Sequence, residues 1–190
     1  MQEQLTFQAL IWRLITDCQS GFLLYTIIYF AIRISKRKDK LREFDRCATI
    51  VICTASLLFL AVWMGETILI WNTSDESQNA ILNRMTGSYA LAYWLQPMLY
   101  SVIPQLLWMR KVRENYISRF LIAFFLFFNF EKFVIIVTSL HRDYLPSSWT
   151  MYSDSFFPYL ILGLLWKLAL FAGLTSLLYA MRKKKDNFAP

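Results

Sequence analysis

The chain has a single histidine, His141, and only three cysteines, Cys18, Cys47 and Cys53, in 190 residues. One histidine cannot supply both axial ligands of a haem. With no C-x-x-C spacing, these few sulfurs cannot join it in a His/Cys metal cluster. The cysteines, odd in number, therefore read as small apolar packing residues. Glycine and proline are also scarce, at 5 each. No Gly-rich phosphate loop is present, and neither is a nucleophile beside a base or a paired-carboxylate site, so a self-contained enzyme is not expected. No linker, low-complexity segment or soluble domain interrupts the chain. The opening residues MQEQLTFQAL lack a positively charged n-region, and no small-residue cleavage site follows, so the first apolar block is expected to be retained.

Apolar residues are abundant instead, at 57% with 17% aromatic, and they fall in long blocks. This is membrane composition. Five blocks are long enough to cross a bilayer at about 1.5 Å per residue, roughly Leu10 to Ile34, Cys47 to Trp71, Ser88 to Met109, Ile117 to Leu140 and Phe156 to Met181. The first is the weakest, because Arg13, Asp17 and Gln19 interrupt it.

Basic residues cluster in RISKRKDKLREFDR (Arg33 to Arg46), RKVRENYISR (Arg110 to Arg119) and RKKK (Arg182 to Lys185), after the first, third and fifth blocks. The opposite loops, 72–87 and 141–155, hold only Arg84 and Arg142. Lys and Arg accumulate on the cytoplasmic side, so the expected topology has five spans, the N-terminus outside and the C-terminus in the cytoplasm. The net charge of +7 is then chiefly a topological signal. Nucleic acid is not an expected partner, because apolar spans separate the basic groups and no recognition motif accompanies them. Anionic lipid headgroups are the better match for SKRKDK and RKKK.

Short connections favour antiparallel neighbours. The expected fold is thus an all-α integral membrane protein, one domain over 1–190, in which spans two to five form an up-and-down four-helix bundle and span one flanks it. Residues Asn79 to Met85 are expected to form a short interfacial helix after Ser77.

Ionisable groups at membrane depth are costly and usually face a protein interior or a polar path. Glu131 lies about 13 Å and Lys167 about 16 Å from the outer ends of their helices, on adjacent antiparallel spans. They are expected to pair. Lys132 points about 100° away from Glu131 on the same helix and does not compete. Three roles fit such a pair: a structural tie between helices, a proton or ligand path, or contact with a polar group of another subunit. Gly163, one turn from Lys167, offers a face for close helix approach. Glu66, in WMGETILIW, lies nearer the outer end of its span, where water reaches. Pro97 and Pro104 remove backbone donors from the third span. Gln96 and Gln105 stand beside them, placed either to satisfy the freed carbonyls or to hydrogen-bond across helices. The aromatic run FLIAFFLFFNF fits lipid contact and core packing.

The stretch FEKFVIIVTSLHRDYLPSSW (Phe130 to Trp149) closely resembles the signature of the large membrane subunit of bacterial alternative complex III, in the NrfD, or polysulfide reductase membrane-subunit, family. VIPQLLWMRKVREN (Val102 to Asn115) is similar to that family's preceding hairpin, and ETILIW (Glu66 to Trp71) to its glutamate-bearing outer helix end. The resemblance covers roughly Asp45 to Tyr152. It implies a subunit of a menaquinol-oxidising respiratory assembly in the bacterial inner membrane, with iron-sulfur and haem c partners outside. The family motif falls on Glu66, Glu131, Lys132, His141, Arg142, Asp143, Pro146 and Trp149. Of these, His141 to Trp149 make an outer turn suited to partner docking.

Family members have about twice as many spans, in two four-helix bundles, and this chain matches the later one. The quinol site is attributed to the earlier bundle. No quinol-binding residue is carried over, and no cofactor is expected on this chain alone. Lys132 stands where the family is expected to have arginine. A packing subunit with a possible proton path is the leading expectation. A small proton channel or transporter, and a non-catalytic assembly scaffold, are the alternatives.

Overall fold

In the computed structural model, residues 2–34, 38–88, 90–127 and 156–186 are described, and they are helical throughout apart from short turns. Helix α1 spans Gln2–Ile34, α2 Lys38–Trp71, α3 Asp75–Thr86 and α4 Ala90–Pro97. A π-helical turn, Met98–Val102, leads to a short α5, Ile103–Gln105, and a 3-10 turn, Leu106–Trp108. Then come α6, Arg110–Glu114, α7, Tyr116–Phe127, and α8, Phe156–Asp186.

Among the described residues, three helices are long and apolar enough to cross a membrane, with spans at Gln8–Arg33, Leu41–Trp71 and Phe157–Lys185. That is the make-up of a membrane protein. The expected third span, Ser88 to Met109, is helical over 90–108 but passes from α-helix through a π turn to a 3-10 turn. Pro97 closes α4, and the chain opens into the wider π turn, where Ile103 N–H reaches the carbonyl of Met98. Of the expected fourth span, α7 is the described part; the rest, with Glu131, Lys132 and the turn from His141 to Trp149, lies outside the described residues.

The arrangement differs from the expected one in a second respect: α1 does not flank the bundle. It packs against α2, α7 and α8, and 56% of its span is buried, against 11% for α8. Polarity explains this. Gln19, Ser20 and Thr26 would leave hydrogen-bonding groups in hydrocarbon on a flanking helix, and here all three are buried against neighbours. Phe22, Ile52, Phe59, Ala123, Leu126 and Phe171 fill the core between those helices.

Close approach of α1 and α8 depends on Gly21. A Cβ there would collide with the carbonyl oxygen of Lys167 and lie 2.9 Å from the Cβ of Phe171. Small residues at helix crossings let backbones meet in this way. At Gly163, the expected close-approach position, an added Cβ would meet no atom of the described residues within 4 Å, and the span expected to meet it lies outside the described residues.

The short helix α3 begins earlier than expected. Ser74, not Ser77, is its N-cap, and its hydroxyl accepts from the amide of Ser77. Asp75 and Glu76 in the first turn and Arg84 in the last suit the helix dipole.

The three basic clusters share one end of the bundle. Arg33 donates to the Glu114 carbonyl at 3.3 Å, Arg42 meets the Glu114 carboxylate at 3.2 Å, and Tyr179, just before the terminal lysines, packs on Phe44.

Candidate functional site

Helix α1 carries polar side chains at four levels, three of which meet α2 and one α8. At the basic end, Tyr25 donates to Asp45 Oδ1 of α2 at 3.3 Å. Arg119 of α7 binds the same carboxylate through both arms, Nη2 to Oδ1 at 2.6 Å and Nη1 to Oδ2 at 3.0 Å. Asn115 precedes this helix, and its side chain accepts from the amide of Ile117, which starts the turn that presents Arg119 inward.

The guanidinium is fully buried in an aromatic cage, 4.4 Å from the Tyr29 ring centre and 5.4 Å from that of Phe22. A bidentate, charge-assisted pair of this kind is rigid, and ring faces add attraction for the cation. Pairing is also what permits two charges there, since an isolated one costs several kcal/mol.

One level further in, Gln19 donates to Ser56 Oγ at 3.3 Å and to the Tyr100 carbonyl at 3.0 Å. The second bond follows from Pro104, which has no amide hydrogen to give the carbonyl one turn before it. Gln105 takes the cross-helix alternative, donating to the carbonyl of Cys53 on α2 at 3.1 Å and also to that of Ser101 at 3.2 Å. The side chain of Gln96 lies outside the described residues. All three cysteines are buried and free, and Cys53 Sγ donates to the Pro104 carbonyl at 3.4 Å.

At the third level Asp17 lies 3.8 Å from Lys167 Nζ and accepts from Trp166 Nε1 at 3.3 Å. The sequence pointed Lys167 toward Glu131, which is outside the described residues; among the described residues Lys167 faces Asp17. A cleft of about 730 Å³ opens beside this pair between α1 and α8, walled by Leu10, Leu14, Leu162 and Leu165.

At the fourth level, farthest from the basic end, Glu66 accepts from Gln8 at 2.7 Å and from the indole N–H of Trp12. Glu66 is thus half-buried and held by α1.

Asp17, Gln19, Asp45 and Arg119 were not singled out by sequence as site residues. Arg119 falls in line with the other buried positions of α7, 122, 123 and 126, a single helical stripe. Among the described residues no three His, Cys, Asp or Glu side chains converge where they could hold a metal ion. No protein-family model and no curated protein sequence matches this chain.

Proposed function

We propose that this chain is a five-span subunit of a respiratory quinol-oxidising complex of the NrfD and alternative complex III type. In this reading it sits in a bacterial inner membrane with its basic end in the cytoplasm. It acts there as a packing partner, with iron-sulfur and haem c subunits docking outside on the turn from His141 to Trp149. Menaquinol belongs to the assembly and is not assigned a site on this chain.

The observation that carries the reading is the resemblance of Phe130 to Trp149 to that family's signature. The geometry supports the packing role. Asp45 with Arg119, and Asp17 with Lys167, form interhelix pairs, and Glu66 is held by two donors of α1. Charges tied in this way fix helix register.

Purification of the intact chain from its own membrane in mild detergent tests this directly. Haem c and iron-sulfur subunits are expected to co-purify. A monodisperse chain without them overturns the assignment.

One observation favours a second reading, a proton path or small channel. Gln19 Oε1, Thr26 Oγ1 and Arg119 Nε are buried polar atoms without hydrogen-bond partners among the described residues, and Gln19 and Thr26 are two turns apart on one face of α1. Proton flux in proteoliposomes that disappears on Glu131→Gln would establish conduction. If a Glu131→Gln, Lys167→Met variant restores full activity to a deletion strain whose complex fails to accumulate, the chain is a scaffold.

A further inference from the structure

At the basic end, beyond the Asp45–Arg119 pair, α1, α2, α6 and α7 enclose a cavity of about 450 Å³. Four arginines line it, Arg33, Arg42, Arg110 and Arg113, against the carboxylates of Glu114 and Asp45. Asp45 is already matched from behind by Arg119, and Glu114 is shared by Arg110 at 2.8 Å and Arg42 at 3.2 Å. Arg33 and Arg113 form no ion pair with a described carboxylate. The cavity therefore holds an excess of guanidinium donors on three helices that converge from different directions.

We infer that this cavity binds the phosphate group of an anionic phospholipid, with the headgroup among the four arginines and the acyl chains leaving along the bundle. Guanidinium forks match phosphate oxygens in pairs, which suits arginine to this task. Tyr29 and Tyr116 on the cavity wall, with Leu41, provide the amphipathic rim that seats a headgroup and glycerol at a membrane interface. Arg33 already lies 4.8 Å over the Tyr116 ring, so one donor is pre-positioned. Basic pockets between spanning helices are the usual form of headgroup sites, and the volume falls in the range of small-ligand pockets.

This site differs from the diffuse attraction of Lys183 to Lys185, which are exposed on α8 and do not line this cavity. It depends on bilayer placement but not on the respiratory assignment. Failure to recover redox partners would leave it standing.

Glu114 supplies an internal control. Its carboxylate is held below the ordinary value by the hydrogen bond from Arg110 and by the charges of Arg42 and Arg113, so at neutral pH it is an anion competing for those arginines. Removing its charge frees both donors.

Native mass spectrometry of the full chain in a neutral detergent tests the inference. Phosphatidylglycerol, phosphatidylcholine and inorganic phosphate serve as separate probes. Phosphatidylglycerol is expected to bind saturably at one site. Arg42→Gln and Arg113→Gln are each expected to weaken it about fivefold. Glu114→Gln should tighten it, and neutralising Lys183 to Lys185 should leave it unchanged.

Equal binding by wild type and both arginine variants, at unchanged helix content, overturns the site. Inorganic phosphate that binds saturably and displaces nothing from the lipid-loaded chain overturns the lipid assignment. Should an arginine variant fail to fold, Glu114→Gln still decides, because a weaker or unchanged affinity contradicts the inference.

Discussion

Arg119 grips Asp45 through both of its guanidinium arms, and neither side chain exposes more than 5% of its surface. The pair joins α7 to α2 beneath α1, with Tyr25 donating to the same carboxylate, so three helices meet on one anion. Asp45→Asn or Arg119→Met alone leaves the other charge buried and unpaired. Each is expected to destabilise the fold by about 3–5 kcal/mol. The double variant is expected to recover most of that loss. Thermal unfolding in detergent, followed by circular dichroism across the full cycle, measures the coupling; additive losses would dissolve the pair as a unit.

The sequence made the helical, membrane-grade character and the shared end of the basic clusters legible, because both follow from block length and charge spacing. It did not show which helix lies innermost. Lipid-facing and inward-facing sides of a spanning helix are equally apolar, so hydropathy carries no sidedness. Asp17 and Gln19 therefore read as defects in the first block, whereas they are its contacts with α8, α2 and the irregular third segment. Asp45 and Arg119 were hidden for another reason. Each sits where a basic loop cluster runs into a span, and counting charges for topology placed both in the loops. The two prolines were visible, but the π turn and the Gln19 contact depend on tertiary packing.

Gly21 is a point of close approach between α1 and α8. A methyl group there meets the Lys167 backbone, which cannot move without shifting the whole helix. Gly21→Ala is expected to cost about 1–3 kcal/mol, as overpacking does. The corresponding change at Gly163, where an added Cβ meets no described residue within 4 Å, should be neutral or slightly stabilising through helix propensity. Paired melting curves check the contrast, and equal effects at the two positions would remove Gly21 from its assigned role.

Glu114 offers a test by pH. Its folded-state value lies below the ordinary 4.5, with the Arg110 hydrogen bond the largest cause. A depressed carboxylate contributes stability that is fully present above its unfolded value and is lost as pH falls through the folded one. The ties from Arg42 and Arg110 should therefore hold through neutral and mildly acidic conditions and release only in stronger acid. A side-chain NMR titration should place the midpoint of Glu114 below the ordinary value. Arg110→Gln should raise it, and so should high salt, because the group is exposed and screened. An unmoved midpoint in Arg110→Gln would contradict the assigned cause.

Gln19 and Pro104 form a reciprocal pair whose two changes should not add. Gln19→Ala removes the donor that reaches the Tyr100 carbonyl and leaves that oxygen in a buried site, at an expected cost of about 1–3 kcal/mol. Pro104→Ala restores an amide hydrogen one turn after Tyr100, where a regular helix would use it. In the Gln19→Ala background the proline change is therefore expected to return part of the lost stability. In the wild-type background it competes with Gln19 for one oxygen and contributes less. The sign of the interaction energy in a double-mutant cycle decides between this account and independent packing effects. Additivity within about 0.5 kcal/mol would mean that Gln19 is not the substitute donor. The buried glutamine would then be needed only for its bond to Ser56.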